Sequence, residues 1–175
     1  MLCFLYGPGE PGRYPDSIMK YFTALLLFSL AVSIGCDGAD STVADPVVYV
    51  EDDNDAMEAA KIKAKGTLSK FIMKWEQDPV PGGCSVKIGV KTIDDDLEHI
   101  WFEPLNFTEA EFTGICANDP AKVANLKLGD KRTFPRNAIS DWMILDGDTC
   151  YGGYTIRVLS EMEPEYAPPF VFKDL

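Results

Sequence analysis

The sequence predicts an α+β domain built from an N-terminal amphipathic helix, an antiparallel sheet of about four to six strands and a C-terminal helix. Two observations predict it. Apolar residues recur at helical spacing up to Gln77, and strand alternation takes over beyond the Pro79–Gly83 breakers. The strand candidates are also joined by short polar turns, which suit antiparallel neighbours; a parallel crossover needs a dozen residues or more.

Asn54 or Asp55 can cap the first helix, which is expected to run to Gln77. Ala64, Leu68, Phe71, Ile72 and Trp75 form one apolar stripe at i, i+4, i+7, i+8 and i+11, with Lys61, Lys63, Lys65 and Lys70 mainly off it. The stripe is core, Trp75 included. Gly66 weakens this helix by about 1 kcal/mol relative to Ala, and Pro79, Pro81 and Gly82-Gly83 end it. Val86, Ile88 and Val90 then share a strand face, with Lys87 and Lys91 opposite. Asp94-Asp95-Asp96 is a turn. Leu97 to Phe102 follows, with His99 and Trp101 on one face and Ile100 and Phe102 on the other. Further strands are expected at Glu111–Cys116 and Lys131–Pro135. Ile139–Leu145 meets a hairpin signal at Asp146-Gly147 and returns through Thr149-Cys150-Tyr151. Gly152-Gly153 opens the second helix, Tyr154–Met162. Pro164, Pro168 and Pro169 leave 163–175 as an irregular tail.

Composition narrows the function. Sixteen Lys+Arg against 28 Asp+Glu give a net charge of −12, which repels phosphates; no nucleic-acid partner is expected. The 46% hydrophobic fraction is that of a globular protein. Five cysteines are present, with no C-x-x-C spacing for zinc or redox chemistry. No cofactor and no metal are implied: one histidine cannot build a multi-histidine site. The acidic run Glu51-Asp52-Asp53-Asn54-Asp55 lacks the alternation of a calcium loop.

The chain outside this domain suggests export. Tyr21 to Gly35 is an uncharged run of fifteen residues, flanked by Lys20 and closed by Gly35-Cys36-Asp37. It is short for a membrane span, which takes about 20 residues, and fits the apolar region of a signal peptide. Its end is similar to a bacterial lipoprotein signal, although Ser33 and Ile34 depart from the usual residues. Segment 19–36 is therefore expected to be a lipoprotein-type signal ending at Cys36, the lipidation site, with the membrane as partner through that lipid. Asp37, directly after the cysteine, resembles an inner-membrane retention signal. Residues 1–18, with Gly7-Pro8-Gly9, Glu10 and Asp16, fit no signal and suggest that translation starts at Met19. Residues 37–55 form an acidic stalk, within which Val47–Val50 could make a short edge strand. The implied location is the bacterial cell envelope, membrane-anchored on the exported side. Cys84, Cys116 and Cys150 then remain, enough for one disulfide and one thiol, and spacing does not choose the pair.

The helix over 56–75, E-H-I-W at Glu98–Trp101, F-T-G at Phe112–Gly114, L-G-D at Leu128–Asp130, I-S-D-W-M at Ile139–Met143 and G-G-Y-T-I-R at Gly152–Arg157 together resemble the bacterial YegJ-like family, the domain of unknown function DUF2314. The resemblance covers 47–162. It implies no activity, since the family's name records none, and some members look exported or lipid-anchored.

Candidate ligand- or partner-binding residues are His99, Trp101, Asp141, Trp142, Gly152, Gly153, Tyr154 and Arg157. Asp141-Trp142 offers a carboxylate beside an aromatic platform, or a turn acceptor beside a core ring. Gly152-Gly153 before a helix offers free N–H groups to an anion, with Arg157 one turn on; the structural reading pairs Arg157 with Asp141 or another acid. Three functions remain open. The first is a binding domain for a protein or small anionic ligand, with no assembled catalytic residues. The second is an enzyme, such as a hydrolase using His99 with Asp141 or a cysteine. The third is a purely structural domain.

Overall fold

The structure, a computed structural model, describes residues 2–4, 47–49, 54–78 and 83–175. Cys36, the expected signal over 19–36 and most of the stalk lie outside these residues. Asn54 caps helix α1 (Asp55–Gln77) by accepting the Met57 N–H at 2.9 Å. The helix buries Met57, Ala60, Ala64, Leu68, Phe71 and Ile72, so the expected stripe reaches two turns further toward the N-terminus, while Trp75 at its other end is only half-buried against the core. Burying a Leu or Phe side chain stabilises by about 1.5–3 kcal/mol.

The domain is α+β, with a mostly antiparallel sheet and two helices, and its strand count exceeds the four to six expected. Described strands are β1 (Leu2–Phe4), β2 (Val47–Tyr49), β3 (Cys84–Lys91), β4 (Leu97–Phe107), β5 (Glu111–Cys116), β6 (Lys131–Pro135), β7 (Ile139–Asp146), β8 (Thr149–Gly152) and β9 (Val171–Lys173). They order as β2-β1-β4-β3-β7-β8-β9, with β5 on the far half of β4 and β6 on β5. Two pairings are parallel, β1 with β4 and β8 with β9. The three strands beyond the expected number each span three residues. β2 falls on the short edge strand expected at Val47–Val50; β1 and β9 have no period to read and owe their strand form to a neighbour's edge. The stretch 163–175, expected to be irregular, holds a 3-10 turn (Pro164–Tyr166) and β9. Helix α2 (Tyr154–Met162) lies between β8 and that turn.

β4 is long because it changes partners. It pairs with β1 at Glu98 and His99, and with β5 from Phe102 onward; the register shifts between Pro104 and Asn106, where a proline without an N–H is tolerated. Trp101 falls between the two partners. Its main-chain N–H is taken by Asn118 Oδ1 at 2.7 Å and its carbonyl by the Ala117 N–H at 2.9 Å. The buried side chains form two clusters. The larger joins α1 to Val86, Ile88, Ile100, Phe102, Ile139 and Trp142; the smaller gathers Met57, Trp101, Met143, Cys150, Ile156 and Leu159.

Candidate functional site

The densest polar chemistry is inside the sheet. Lys87 on β3 stands in register with Trp101 on β4 and with Asp141 on β7, so the three side chains share one face. All are buried. Asp141 Oδ1 accepts the N–H groups of Trp142 (2.8 Å) and Tyr154 (3.2 Å). Its Oδ2 accepts the N–H (2.7 Å) and hydroxyl (2.6 Å) of Thr155. Helix α2 begins at Gly153, which has no capping side chain, so a carboxylate from a strand thirteen residues upstream of Tyr154 performs the capping. Burial pushes the Asp141 carboxyl up, while Lys87 and the hydrogen bonds from Thr155 and Trp142 pull it down. Lys87 Nζ donates to Thr155 Oγ1 at 2.9 Å and sits 4.6 Å from the Trp101 ring centroid. Lys87→Thr155→Asp141 is thus one directed hydrogen-bond chain.

Trp142, on the opposite face, donates its indole N–H to the Ala64 carbonyl (3.0 Å) and to Thr67 Oγ1 (3.2 Å), binding β7 to the middle of α1. Its ring packs on Phe71 and edge-on to Tyr154. Gly152 (φ +74) passes directly over Trp142: a Cβ there would overlap the Trp142 main-chain oxygen and ring. The I-S-D-W and G-G-Y-T stretches are therefore two halves of one joint. Arg157 does not meet Asp141. It donates from Nε to the Gly152 carbonyl (3.0 Å), from Nη1 to Asp174 (2.9 Å) and from Nη2 to the Lys173 carbonyl (2.6 Å), in the stretch expected to be an irregular tail.

His99 lies across Gly89 toward β7, where its Nδ1 is 3.3 Å from Ser140 Oγ. Ser140 gives its proton to the Lys87 carbonyl at 3.1 Å. His99 must then donate from Nδ1, which leaves Nε2 as the lone-pair nitrogen. His99 Nε2, Trp101 Nε1 and Asn118 Nδ2 are buried without a hydrogen-bond partner. Burial, then Lys87 and Lys61, depress the His99 pKa from 6.5 to about 3. Because the folded value is the lower one, the unfolded chain binds the proton first as pH falls. The stabilising effect of a neutral His99 is complete above pH 6.5 and is lost on acidification toward pH 3, by up to about 1.4 kcal/mol per pH unit. Urea titrations at pH 6.5 and 5.0 are expected to show this loss in the parent chain and a clearly smaller one in His99→Asn. Equal slopes would mean that His99 is not held neutral.

The candidates therefore do not converge on one open concavity. His99, Trp101 and Asp141 are buried in the sheet, Trp142 and Tyr154 fix α1, and Arg157 fixes β9. No disulfide joins Cys84, Cys116 and Cys150 to one another, and all three are buried. Burial raises the Cys116 thiol to about 11 and the Cys150 thiol to about 12, away from nucleophilic reactivity. Among the described residues no cluster of three His, Cys, Asp or Glu could hold a metal, and no helix is long and apolar enough to cross a membrane.

An open concavity lies elsewhere, between α1 and the turn that follows β6. This groove of about 600 Å³ is lined by Lys65, Leu68, Ser69, Glu109, Arg136 and Asn137 among others. Its volume is that of a small-molecule site. The sequence offered no signal for it, because Lys65 and Arg136 belong to separate elements that only packing brings together. Lys87 and Ser140 were missed for another reason: strand alternation marks the face opposite the core, and here that face is buried too. Thr155 opens α2, and only packing sets it against Asp141.

The family model "Uncharacterized protein conserved in bacteria (DUF2314)" matches residues 54–167. The chain belongs to the DUF2314 family. This DUF2314 protein is 31% identical over 140 residues to the uncharacterized protein YegJ of Escherichia coli K12, covering 80% of this chain and 90% of that one. It is 26% identical over 121 residues to a putative ankyrin repeat protein, NMB1133/NMB1171, of Neisseria meningitidis serogroup B. That match covers 65% of this chain and 48% of the other. No solved structure matches the DUF2314 chain.

Proposed function

We propose that this is a binding protein of the bacterial cell envelope, tethered by lipid on Cys36, whose DUF2314 domain takes a small anionic ligand. The observation that carries the binding reading is the groove beside α1. In a chain of net charge −12, Lys65 and Arg136 stand there around the apolar Leu68, with Ser69 and Asn137 as hydrogen-bonding partners. A guanidinium and an ammonium lining one groove suit a carboxylate or phosphate, and Glu109 in the same lining would turn away a ligand of high negative charge. The tether is supported by the uncharged run Tyr21–Gly35 closing on Cys36.

Calorimetric titration with inorganic phosphate and with succinate tests the ligand class. At least one is expected to bind, and Arg136→Ala is expected to weaken it about tenfold, roughly 1.4 kcal/mol. No binding of either, or binding unchanged in Arg136→Ala, sinks the reading. Cell fractionation tests the tether separately: Cys36→Ala is expected to move from membranes to the soluble fraction, and an unchanged distribution rules out a lipid anchor there.

One observation favours an enzyme, the approach of His99 to Ser140. The pair is a weak catalytic candidate. Both residues are buried, a base depressed to about 3 has little proton affinity at neutral pH, and Asp141 faces α2 rather than the histidine.

A further inference from the structure

The outer edge of β8 is occupied by a segment bound as a peptide ligand is bound. β9 adds in parallel, Thr149 opposite Val171, Cys150 opposite Phe172 and Tyr151 opposite Lys173. Phe172 packs on the cluster of Cys150, Ile156 and Leu159, with the Arg157 guanidinium 5.4 Å from its ring centroid. Two positions on, Asp174 sits between Lys63 Nζ on α1 and Arg157 Nη1 on α2, each at 2.9 Å. Arg157 Nη2 also holds the Lys173 carbonyl, and Lys70 reaches the main-chain oxygen of Leu175. Main-chain pairing, one aromatic pocket and one acid clamp are the parts of recognition by strand addition.

The family model covers the two sides of this contact differently. Lys63, Cys150, Tyr151 and Arg157 lie within the family match of 54–167, whereas Val171–Leu175 lie beyond it. The joining stretch carries Pro164, Pro168 and Pro169, and the strand itself is three residues long and largely exposed. Ion pairs open to solvent contribute about 0–1 kcal/mol each, so the segment rests mainly on its three paired positions and on Phe172.

We propose that the β8 edge is a docking site for an extended segment of another protein carrying an aromatic residue two positions before an acid, and that Val171–Leu175 occupies it in cis. The chain's own segment then acts as a built-in competitor: a partner binds by displacing it. This goes beyond the ligand groove, shares no lining residue with it, and stands or falls separately.

The test uses the full chain with Phe172→Ser and Asp174→Lys, which removes both anchors of the resident segment, and a fluorescent peptide of residues 168–175. Hydrogen exchange across Thr149–Gly152 is expected to rise in this variant. The peptide is expected to bind it about tenfold or more tighter than it binds the parent chain. Adding Lys63→Glu, at an exposed helix position, is expected to weaken that binding again. Raised exchange without peptide binding overturns the docking site, and unchanged exchange overturns the assignment of these contacts. A parent chain that is dimeric, and becomes monomeric in the double variant, overturns occupation in cis in favour of exchange between two copies.

Discussion

Asp141→Ala is expected to lower the stability of the domain by about 3–5 kcal/mol, the cost of breaking a buried charge pair at one partner. The substitution removes the acceptor for Trp142 N–H, Tyr154 N–H, Thr155 N–H and the Thr155 hydroxyl together. Losing a helix cap alone costs about 0.5–2 kcal/mol. Here the capped helix start is buried, and Lys87, with no exposed surface, loses the carboxylate that offsets its charge. Asp141→Asn keeps the shape and one acceptor oxygen, and is expected to fall between the parent and the alanine variant. Combining it with Lys87→Met removes both charges and should recover part of the loss, because an apolar replacement of similar volume avoids the desolvation cost. Urea denaturation at low temperature measures all three. A loss below 1 kcal/mol in Asp141→Ala would show that α2 does not depend on this carboxylate.

Gly152→Ala is expected to cost about 3 kcal/mol or more, from a left-handed backbone that a side chain rarely adopts and from overpacking. At φ +74 the new methyl would lie 2.5 Å from two ring carbons of Trp142 and closer still to its main-chain oxygen. Neither can yield. The ring has no exposed surface and is fixed by its N–H to Ala64, and the oxygen accepts the Gly153 N–H. Gly147 is the control: its φ is +56 and nothing lies within 4 Å of an added Cβ. Gly147→Ala should therefore cost only the conformational part, about 1–2 kcal/mol. Equal effects at the two positions would remove the steric argument. Since whole domains are stable by only about 5–15 kcal/mol, either central substitution brings this one near unfolding. Loss of ligand binding in such variants would report folding and not contact.

These two positions explain why the most distinctive stretches of the chain pointed at function and landed in the fold. Asp141, Trp142, Gly152 and Tyr154 looked like a site because carboxylates, aromatics and paired glycines before a helix are the materials of sites. In this molecule the carboxylate caps the helix, and the glycine makes room for the ring. Sequence spacing alone cannot separate the uses, since both need the same residue types close together.

What the sequence determined by itself were the elements with a period long enough to read. The stripe from Ala64 to Trp75 specifies α1, alternation specifies β3 and the start of β4, and Asp146-Gly147 specifies the β7–β8 hairpin. The family followed from the same stretches. Tertiary structure alone decided the rest. It buried both faces of the central strands, so that Lys87 became a core residue. It set Arg157 on Asp174 instead of Asp141, and it brought Lys65 and Arg136 to one groove. The physical reason is range: hydrogen-bond geometry and alternation act over a few residues and are written locally. Burial of the second face, pairing of three-residue strands and the walls of a groove depend on which distant surfaces pack together.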